Sequence, residues 1–310
     1  MRILITGGAG FIGSNLTELL LSLGHSVIVV DDLSSGNIRN IQQLEINNFF
    51  VSKIQTFDFS SLGKLDAVVH LAAQASVPYS MSNFYSSSLN NIDSSIKAID
   101  YCSQNKIPLV YASSSAIYGN LNCGDDQSYS IDLLSPYAAD KYLLETYAKI
   151  AYSCYKLSSI GLRFFNVYGP NQDPSNPYSG VISIFIDNAL KGLPLTINGG
   201  EQTRDFIHVE DVCDLILKSI LLTQNNSLVE QVNVLTGQQT KITELAEIIN
   251  SKAKSSCSLK YAPYLEGDPL RSAGTTKKME DLFSINLKKF KTIELGLDQT
   301  IQIFRESFIA

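Results

Sequence analysis

The sequence predicts an α/β protein with a doubly wound parallel sheet and a smaller, mixed α/β lobe towards the C-terminal side. In the first half of the chain, short apolar segments alternate with longer segments in which apolar residues recur every three or four positions. That order is typical of strands alternating with helices. The strand segments are also apolar throughout rather than at every second residue, which indicates a parallel sheet covered by helices on both faces.

The first predicted strand, at 2–6 (RILIT), runs directly into glycines. Apolar residues then recur at helical spacing from Ile12 to Leu23, and Gly24 ends that helix. The remaining strands of this half are predicted at 26–32, 66–73, 107–113 and 158–164, with helices near 80–105 and 136–156.

The pattern becomes less regular after residue 167. The segment 168–180 is dense in Pro, Asn, Ser and Gly, which predicts a long loop, and loops of that length are usually functional. The rest is predicted to contain helices at 182–192, 209–223, 241–251 and 295–308 and a strand at 231–237. We expect a first domain of 1–167 and about 205–240, and a second lobe of 168–204 and about 241–310.

Composition excludes several functional classes. The net charge of −6, without a basic cluster, argues against a nucleic-acid partner. Five scattered cysteines and three isolated histidines have no metal-ligand spacing, so no metal site is expected. No apolar run approaches the roughly 20 residues that span a bilayer, and the apolar stretch at the N-terminus is too short for a secretory signal. A cytoplasmic protein without membrane contact is therefore expected.

Three glycines, Gly7, Gly10 and Gly13, lie between the first strand and the first helix. Glycine at these positions permits a tight turn and the close approach of a pyrophosphate to the helix N-terminus. Asp31 ends the second strand, where a carboxylate accepts hydrogen bonds from an adenosine ribose and repels a 2′-phosphate. The sequence therefore predicts NAD, rather than NADP, as the cofactor.

Two further motifs carry hydroxyl groups. Tyr137 and Lys141 are four residues apart on the helix predicted at 136–156, so they share one face. A lysine beside a phenol stabilises the phenolate, which a tyrosine needs in order to act as a base near neutral pH. The segment YASSSAIYG (111–119) places three serines at the end of a predicted strand, and this pattern alone does not select one of them.

Together these motifs resemble the extended short-chain dehydrogenase/reductase family and, within it, the nucleotide-sugar epimerases. The resemblance runs from residue 1 to about residue 300 and includes TGGAGFIG, HLAAQ, NNI, SSSAIYG, SPYAADK, LRFFNVYGP, QDPSNPYSGVISIF, RDFIHVEDV and GDPLRS. It implies a Rossmann-type NAD-binding domain, a nucleotide-sugar-binding lobe and a role in nucleotide-sugar metabolism, including polysaccharide biosynthesis. It also implies a homodimer that pairs through the helices near 80–105 and 136–156.

In that family the reactive serine stands three residues before an aliphatic–Tyr–Gly triplet, and here the count selects Ser114. The resemblance implies that Tyr137, assisted by Lys141 and Ser114, removes the proton of a sugar 4-OH while the C4 hydride passes to NAD. The 4-keto sugar then turns over, and hydride and proton return to the other face. Related dehydratases and decarboxylases carry acids where this chain has Ser115 and Ala116, so C4 epimerisation of a UDP-hexose is expected.

The resemblance also implies the remaining contacts. The cofactor-binding residues are expected to be Gly7, Gly10, Phe11, Ile12, Gly13, Asp31, Asp32, Asp58, Phe59, Leu71, Ala72, Ala73, Gln74, Tyr137 and Lys141. The substrate-binding residues are expected to be Ser115, Asn166, Val181, Arg204, Arg271 and Ser272. Arg271 is offset from the family pattern, which has an arginine before the Gly-Asp pair. Asn91 matches an asparagine that ties strands together in the family.

Ser272 bears on the choice of sugar, since a bulky tyrosine at this place restricts related epimerases to unsubstituted hexoses. A serine leaves room for an N-acetyl group, which favours UDP-GlcNAc/UDP-GalNAc, with UDP-Glc/UDP-Gal as a further pair. The alternatives are a UDP-glucuronate 4-epimerase and a decarboxylase, dehydratase or 4-keto reductase of the same family. An alternative of a different class is a non-catalytic NAD-binding regulator.

Overall fold

The computed structural model describes residues 1–44, 46, 48–176, 179–264 and 269–309, with side chains up to residue 306. Two positions of the predicted loop 168–180 and the Gly-Asp pair of GDPLRS lie outside the described residues. The strands are β1 (Arg2–Thr6), β2 (Ser26–Asp31), β3 (Asn48–Val51), β4 (Ala67–His70), β5 (Leu109–Ser114), β6 (Ser159–Phe164), β7 (Asn166–Tyr168), β8 (Leu195–Asn198), β9 (Thr203–His208), β10 (Val229–Val234), β11 (Gln239–Lys241), β12 (Leu259–Ala262) and β13 (Arg271–Ser272).

The helices include two that replace one predicted element. They are α1 (Phe11–Ser22), α2 (Val77–Ser82), α3 (Phe84–Asn105), α4 (Pro136–Tyr155), α5 (Val181–Lys191), α6 (Val209–Asn225), α7 (Ile242–Ala253), α8 (Lys277–Phe283) and α9 (Ile293–Ile309). The helix predicted near 80–105 is divided at Asn83, whose backbone (φ −131°, ψ 51°) is not helical. No helix among the described residues is long and apolar enough to cross a membrane.

A seven-stranded sheet has the order β10-β6-β5-β4-β1-β2-β3. The pairs β1/β2, β1/β4, β2/β3 and β4/β5 are parallel. The strand order reverses between β1 and β4, and in such sheets ligands bind at the carboxyl ends of the strands beside this reversal. The predicted doubly wound Rossmann-type sheet is therefore confirmed.

Burial explains why these strands form the centre of the sheet. Leu4, Ile28, Val68 and Leu109 are fully buried in one apolar cluster, which also contains Leu144 of α4. Strands that are apolar on both faces are stable only where helices cover both faces. The continuous apolar runs in the sequence correspond to this arrangement.

A smaller sheet is centred on β9. Strand β11 pairs with β9 in antiparallel orientation, while β13 and β7 pair with it in parallel orientation. Strands β8 and β12 form a separate parallel pair. An apolar cluster of its own supports this part of the chain and includes Phe185, Ile197, Leu245 and Leu297.

The described chain divides into two compact units. The first comprises Met1–Ile117, Leu133–Arg163 and Cys213–Val232, and the second comprises Tyr118–Asp132, Phe164–Val212 and Asn233–Ala310. The division differs from the predicted boundaries at 118–132, 164–167, 205–212 and 233–240, all of which belong to the second unit. The assignment of the two units to cofactor and sugar nucleotide stays a prediction.

Candidate active site and cofactor site

The glycine turn after β1 has a geometry that only glycine satisfies. Gly7 has a φ of +75°, and its amide donates to the Val30 carbonyl oxygen at 2.8 Å. A Cβ on Gly7 would lie 2.7 Å from the Ala72 nitrogen, and one on Gly13 would lie 2.1 Å from the Gly7 oxygen. The backbone of the turn is thus packed closely between β2, the loop after β4 and α1.

Helix α1 begins directly after this turn. Gly10 precedes the helix without any side chain that caps it, and Phe11 and Ile12 are its first residues. The first backbone N–H groups of a helix have no partner within the helix, and together with the helix dipole they favour an anion. The residues present therefore fit the pyrophosphate of NAD.

Asp31 lies at the carboxyl end of β2 and is only 6% exposed. Its Oδ2 accepts from the Ala9 amide at 2.9 Å, and its Oδ1 accepts from the Leu33 amide at 2.8 Å. Burial raises the pKa of the Asp31 carboxyl, while these backbone hydrogen bonds lower it. Asp31 therefore holds the glycine turn against β2, whereas Asp32 is less buried and accepts from Ser34.

The loop Leu71–Gln74 follows β4, on the other side of the strand reversal. The Leu71 amide donates to the Thr6 oxygen at 3.0 Å, so this loop begins beside the end of β1. The Asn91 side chain accepts from the Gln74 amide at 2.8 Å and donates to the Gln74 oxygen and to Asp140 Oδ2, both at 3.1 Å. Asn91 thus ties this loop to α4, not one strand to another as the resemblance implied.

Asp58 and Phe59 lie in different environments. Asp58 is exposed and accepts from the Ser60 amide at 2.9 Å, and the bonds to Ser60 lower the pKa of its carboxyl. The Phe59 ring is buried and stacks on Tyr101 at a centroid distance of 4.6 Å. Lys97 donates to the Gln55 and Phe57 carbonyl oxygens and so holds this segment on α3.

The structure brings Ser114, Tyr137 and Lys141 together. Tyr137 and Lys141 lie one turn apart on α4, and both are buried. Tyr137 forms a side-chain hydrogen bond with Ser114 at the end of β5. Lys141 donates to the Ala112 carbonyl oxygen at 2.8 Å, and its Nζ lies 5.8 Å from the centroid of the Tyr137 ring.

The three serines of SSS have different neighbours. Ser113 donates to Glu145 Oε1 at 2.6 Å inside the protein, and Ser114 hydrogen bonds with Tyr137. Ser115 begins a short 3-10 turn and is half-buried. The contact with the phenol therefore belongs to Ser114, while the catalytic role of that contact stays a prediction.

Burial controls the protonation of the pair. It raises the pKa of the Tyr137 phenol, which the hydrogen bond with Ser114 lowers and the Asp140 carboxylate raises further. It also lowers the pKa of Lys141 to about 8, although Asp140 acts in the opposite direction. The net shift in the pKa of the Tyr137 phenol is upward, so burial opposes the ionisation that the Tyr–Lys spacing predicts, and the activation of Tyr137 by Lys141 stays a prediction.

The candidate substrate residues Asn166, Arg204 and Ser272 meet on the smaller sheet of the second unit. Arg204 on β9 is buried and pairs in register with Ser272 on β13. Asn166 at the start of β7 donates to the Asp205 carbonyl oxygen at 3.0 Å and to Ser272 Oγ at 3.2 Å. Val181 is the first residue of α5 and is half-buried.

Arg271 does not join this group. It is exposed and pairs in register with Thr203, one residue before the Arg204–Ser272 pair. Because successive residues of a strand point to opposite faces, Arg271 and Arg204 lie on opposite faces of the sheet. The register therefore gives no support to a shared phosphate site, and the role of Arg271 stays a prediction.

A buried ion pair that was not predicted from the sequence lies next to the reactive groups. Glu145 of α4 and Arg163 of β6 are joined at 2.7 Å and are almost completely buried. A signal was present, since Tyr137, Lys141 and Glu145 recur at four-residue spacing and Arg163 interrupts an apolar strand. This pair does not touch the phenol, but it holds the helix that carries it.

Comparison with known proteins places the chain in a family. Residues 3–234 match the model of the NAD dependent epimerase/dehydratase family. The chain is 36% identical to a putative UDP-glucose 4-epimerase of Methanocaldococcus jannaschii over 90% of its own length and 92% of that protein. It is 32% identical to a UDP-N-acetyl-alpha-D-glucosaminuronate decarboxylase of Bacillus cytotoxicus, over 98% of each chain.

Solved structures agree over almost the whole chain. A UDP-N-acetylglucosamine 4-epimerase from Methanobrevibacter ruminantium, in complex with UDP-N-acetylmuramic acid, has a TM-score of 0.91 and 34% identity, covering 99% of this chain and 98% of that one. UDP-glucose 4-epimerase of Thermotoga maritima has a TM-score of 0.92 and 32% identity, and the match covers 99% of this chain and 100% of that one.

A third solved structure contains the cofactor. It is the UDP-glucuronic acid 4-epimerase of Bacillus cereus in complex with UDP-glucuronic acid and NAD. Its TM-score is 0.88 and its identity 27%, and the match covers 99% of this chain and 100% of that one. The chain is an NAD-dependent enzyme of the extended short-chain dehydrogenase/reductase type and a member of the NAD dependent epimerase/dehydratase family.

Proposed function

We propose that the protein is a UDP-hexose 4-epimerase whose preferred pair is UDP-GlcNAc/UDP-GalNAc, with UDP-Glc/UDP-Gal as a further pair. The observation that carries this proposal is the hydrogen bond of Ser114 with Tyr137, whose ring centroid lies 5.8 Å from Lys141 Nζ. Ser114 ends β5, at the carboxyl edge of the sheet that also holds the glycine turn. Residues 115 and 116 are Ser and Ala, so the position at which relatives carry an eliminating acid has none.

Ser114, Tyr137 and Lys141 are proposed to have different roles in the reaction. Tyr137 takes the proton of the sugar 4-OH and later returns it, and Ser114 holds the same hydroxyl through its own hydrogen bond. Bound NAD supplies reversible storage of the C4 hydride. Lys141 is anchored on the Ala112 carbonyl and keeps further N–H donors for the ribose hydroxyls of the cofactor. A positive charge close to Tyr137 favours the phenolate and so opposes the effect of burial.

The second unit is proposed to hold the nucleotide sugar. Arg204 is a buried guanidinium that can donate two parallel hydrogen bonds to a diphosphate, and Asn166 lies beside it. Ser272 is small and accepts from Asn166, which leaves room for an N-acetyl group at C2. Ser115 and Val181 are proposed to contact the sugar.

The relatives keep other activities open as alternatives. The Bacillus cytotoxicus relative is named a decarboxylase and the Bacillus cereus structure a uronate epimerase, so a UDP-uronate substrate is the second candidate. Dehydration and net 4-keto reduction are further activities of this type of site. A non-catalytic NAD-binding regulator is disfavoured because Ser114, Tyr137 and Lys141 are all present, with Ser114 hydrogen bonded to Tyr137 and Lys141 one turn further along the same helix.

We further propose a homodimer formed through α3 and α4. On α3, Tyr85, Leu89 and Ile96 are 80%, 52% and 40% exposed and recur at helical spacing. Ile150 on α4 is 50% exposed. Apolar stripes of this kind are typical of helices that pack against a partner. Light scattering of the wild type and of a Tyr85→Arg/Leu89→Arg variant tests this. We expect the mass of a dimer for the wild type and of a monomer for the variant, and the same mass for the two proteins would contradict the proposal.

The epimerase proposal is tested with the purified protein and no added cofactor. Each UDP-sugar is supplied separately, and the products are resolved by NMR, while absorbance at about 340 nm follows the reduced cofactor. Interconversion of the C4 epimers without net NADH supports the proposal. Release of CO2, loss of water or a stoichiometric need for added NADH would overturn it in favour of the decarboxylase, dehydratase or reductase.

A further inference from the structure

Glu145 is a fully buried carboxylate that the proposed chemistry does not use. Its Oε1 accepts from Arg163 Nε at 2.8 Å and from Ser113 Oγ at 2.6 Å, and its Oε2 accepts from Arg163 Nη2 at 2.7 Å. The Arg163 fork therefore binds both oxygens, and Ser113 adds a third donor. Both charges are neutralised by specific partners, as burial requires.

These contacts join α4 to two neighbouring strands, β5 and β6. Three consecutive residues of β5 each hold one residue of α4. The Ala112 carbonyl accepts from Lys141, Ser113 donates to Glu145, and Ser114 hydrogen bonds with Tyr137. The three residues of α4 are spaced by four, so they lie on one face of the helix on successive turns.

We propose that Ser113, Glu145 and Arg163 are positioning residues that set the place of α4 along β5 and thereby the contact of Tyr137 with Ser114. The inference rests on the proposed function only in that its kinetic readout needs the epimerase reaction. Charge-assisted hydrogen bonds of this kind are short and directional. The three side chains are almost completely buried, so a small shift of α4 weakens these bonds without exposing the groups to solvent.

The position of the phenol matters because proton transfer needs hydrogen-bond distance between the phenol and the sugar hydroxyl. A misplacement of about 1 Å by a change remote from the chemistry can lower a rate by about 100-fold. Ser113 is the member of the cluster that can be changed most cleanly. Removing its hydroxyl leaves Glu145 paired with both nitrogens of Arg163, so no buried charge is left without a partner.

The test compares Ser113→Ala, Ser113→Thr and Ser159→Ala with the wild type. Ser159 is a matched control, since it is a fully buried serine on the adjacent strand whose hydroxyl has no hydrogen-bond partner among the described residues. We expect Ser113→Ala to lower kcat about 5- to 20-fold with an unchanged KM for the UDP-sugar. Ser113→Thr, which restores the hydroxyl, should recover most of the lost kcat, and Ser159→Ala should match the wild type.

Three results would overturn the inference. One is a kcat of Ser113→Ala within twofold of the wild type. Another is an effect on KM alone, and the third is a Ser113→Thr variant as slow as Ser113→Ala at an unchanged melting temperature. Crystal structures of the wild type and Ser113→Ala add a readout without turnover: the Tyr137 Oη–Ser114 Oγ distance must lengthen in the variant. A wild type inactive on every UDP-sugar would refute the proposed function, and this distance would still decide the positioning role.

Discussion

The Lys141 ammonium lies 5.8 Å from the centroid of the Tyr137 ring while it donates to the Ala112 carbonyl oxygen. Burial acts on both side chains, lowering the pKa of Lys141 to about 8 and raising that of Tyr137. Both shifts favour the uncharged forms. The protein therefore holds a base whose activation depends on additional positive charge.

Replacing Tyr137 by Phe removes the proposed base while keeping the ring. We expect kcat to fall by about 10²- to 10⁴-fold, the range for loss of a general acid–base group. The Kd of the UDP-sugar, measured by calorimetry, should stay within about twofold of the wild type. A variant that kept most of its rate would show that Tyr137 is not the base.

Replacing Asp140 by Asn tests the electrostatics of the pair. Asp140 is buried, accepts from Asn91, and raises the pKa values of both Tyr137 and Lys141. An Asn side chain keeps an acceptor for Asn91 but removes the charge, so both pKa values fall. In the NAD-bound enzyme, where added positive charge favours the phenolate, we expect Tyr137 to set the acidic limb of the kcat–pH profile and Lys141 to set the basic limb. Both limbs should move to lower pH in the variant. Asp93→Asn, at an exposed position of α3, is the control and should leave the profile in place. A D140N profile superimposable on the wild type would contradict this assignment.

Replacing Lys141 by Met should abolish activity but stabilise the fold at neutral pH. The lysine pKa is lowered from 10.5 to about 8, so below pH 8 the native state carries a buried ammonium at a cost of about 3 kcal/mol. Loss of the hydrogen bond to the Ala112 carbonyl removes about 1 kcal/mol of this gain. The free energy of unfolding should therefore rise by about 2 kcal/mol at pH 7.

The sign of this effect depends on pH. As the pH rises from about 8 to 10.5, the native lysine loses its proton before the unfolded one, the cost disappears, and the advantage of the variant fades. Thermal unfolding at several pH values measures this, with Lys149→Met at an exposed position of α4 as the control. A lower unfolding temperature of Lys141→Met at pH 7 would refute it.

Replacing Ser272 by Tyr tests the choice of sugar. The phenol ring would fill the space beside Asn166 that we propose for the N-acetyl group. We expect kcat/KM for UDP-GlcNAc to fall at least about tenfold more than kcat/KM for UDP-Glc, a ratio that steric exclusion from a pocket can supply. Ser272→Ala should retain both activities. Equal losses on the two substrates in S272Y would remove Ser272 as the determinant.

The first half of the chain could be predicted because its signals are local. The strand predicted at 2–6 is observed as Arg2–Thr6. Gly7, Gly10 and Gly13 follow it directly, and Gly13 lies in the first turn of α1. The carboxylate that faces this turn, Asp31, ends the next strand. These elements can be predicted without knowledge of long-range contacts, because the period of their apolar residues, the length of each segment and the positions of the glycines identify them.

The second unit was less predictable because its strands are short. Strand β7 has three residues and β13 has two, and each is defined by pairing with β9 rather than by its own apolar pattern. Strand β3 was also missed. A run of two to four residues contains too few positions to show a period, so only the partner strand reveals it.

The sequence by itself determined the alternation of the longer strands and helices in the first half of the chain, the glycine turn, and the four-residue spacing that brings Tyr137 and Lys141 to one helix face. Only the tertiary structure decided the partner of each polar group. It directs Ser113 to Glu145 and Ser114 to Tyr137, and it separates Arg204 from Arg271. For the two arginines, the physical reason is that successive residues of a strand point to opposite faces. Ser113 and Ser114 both reach α4, and the packing of that helix on the end of β5 decides which of its residues each serine meets. Which face meets a given helix or strand depends on pairing between segments that are far apart in the chain.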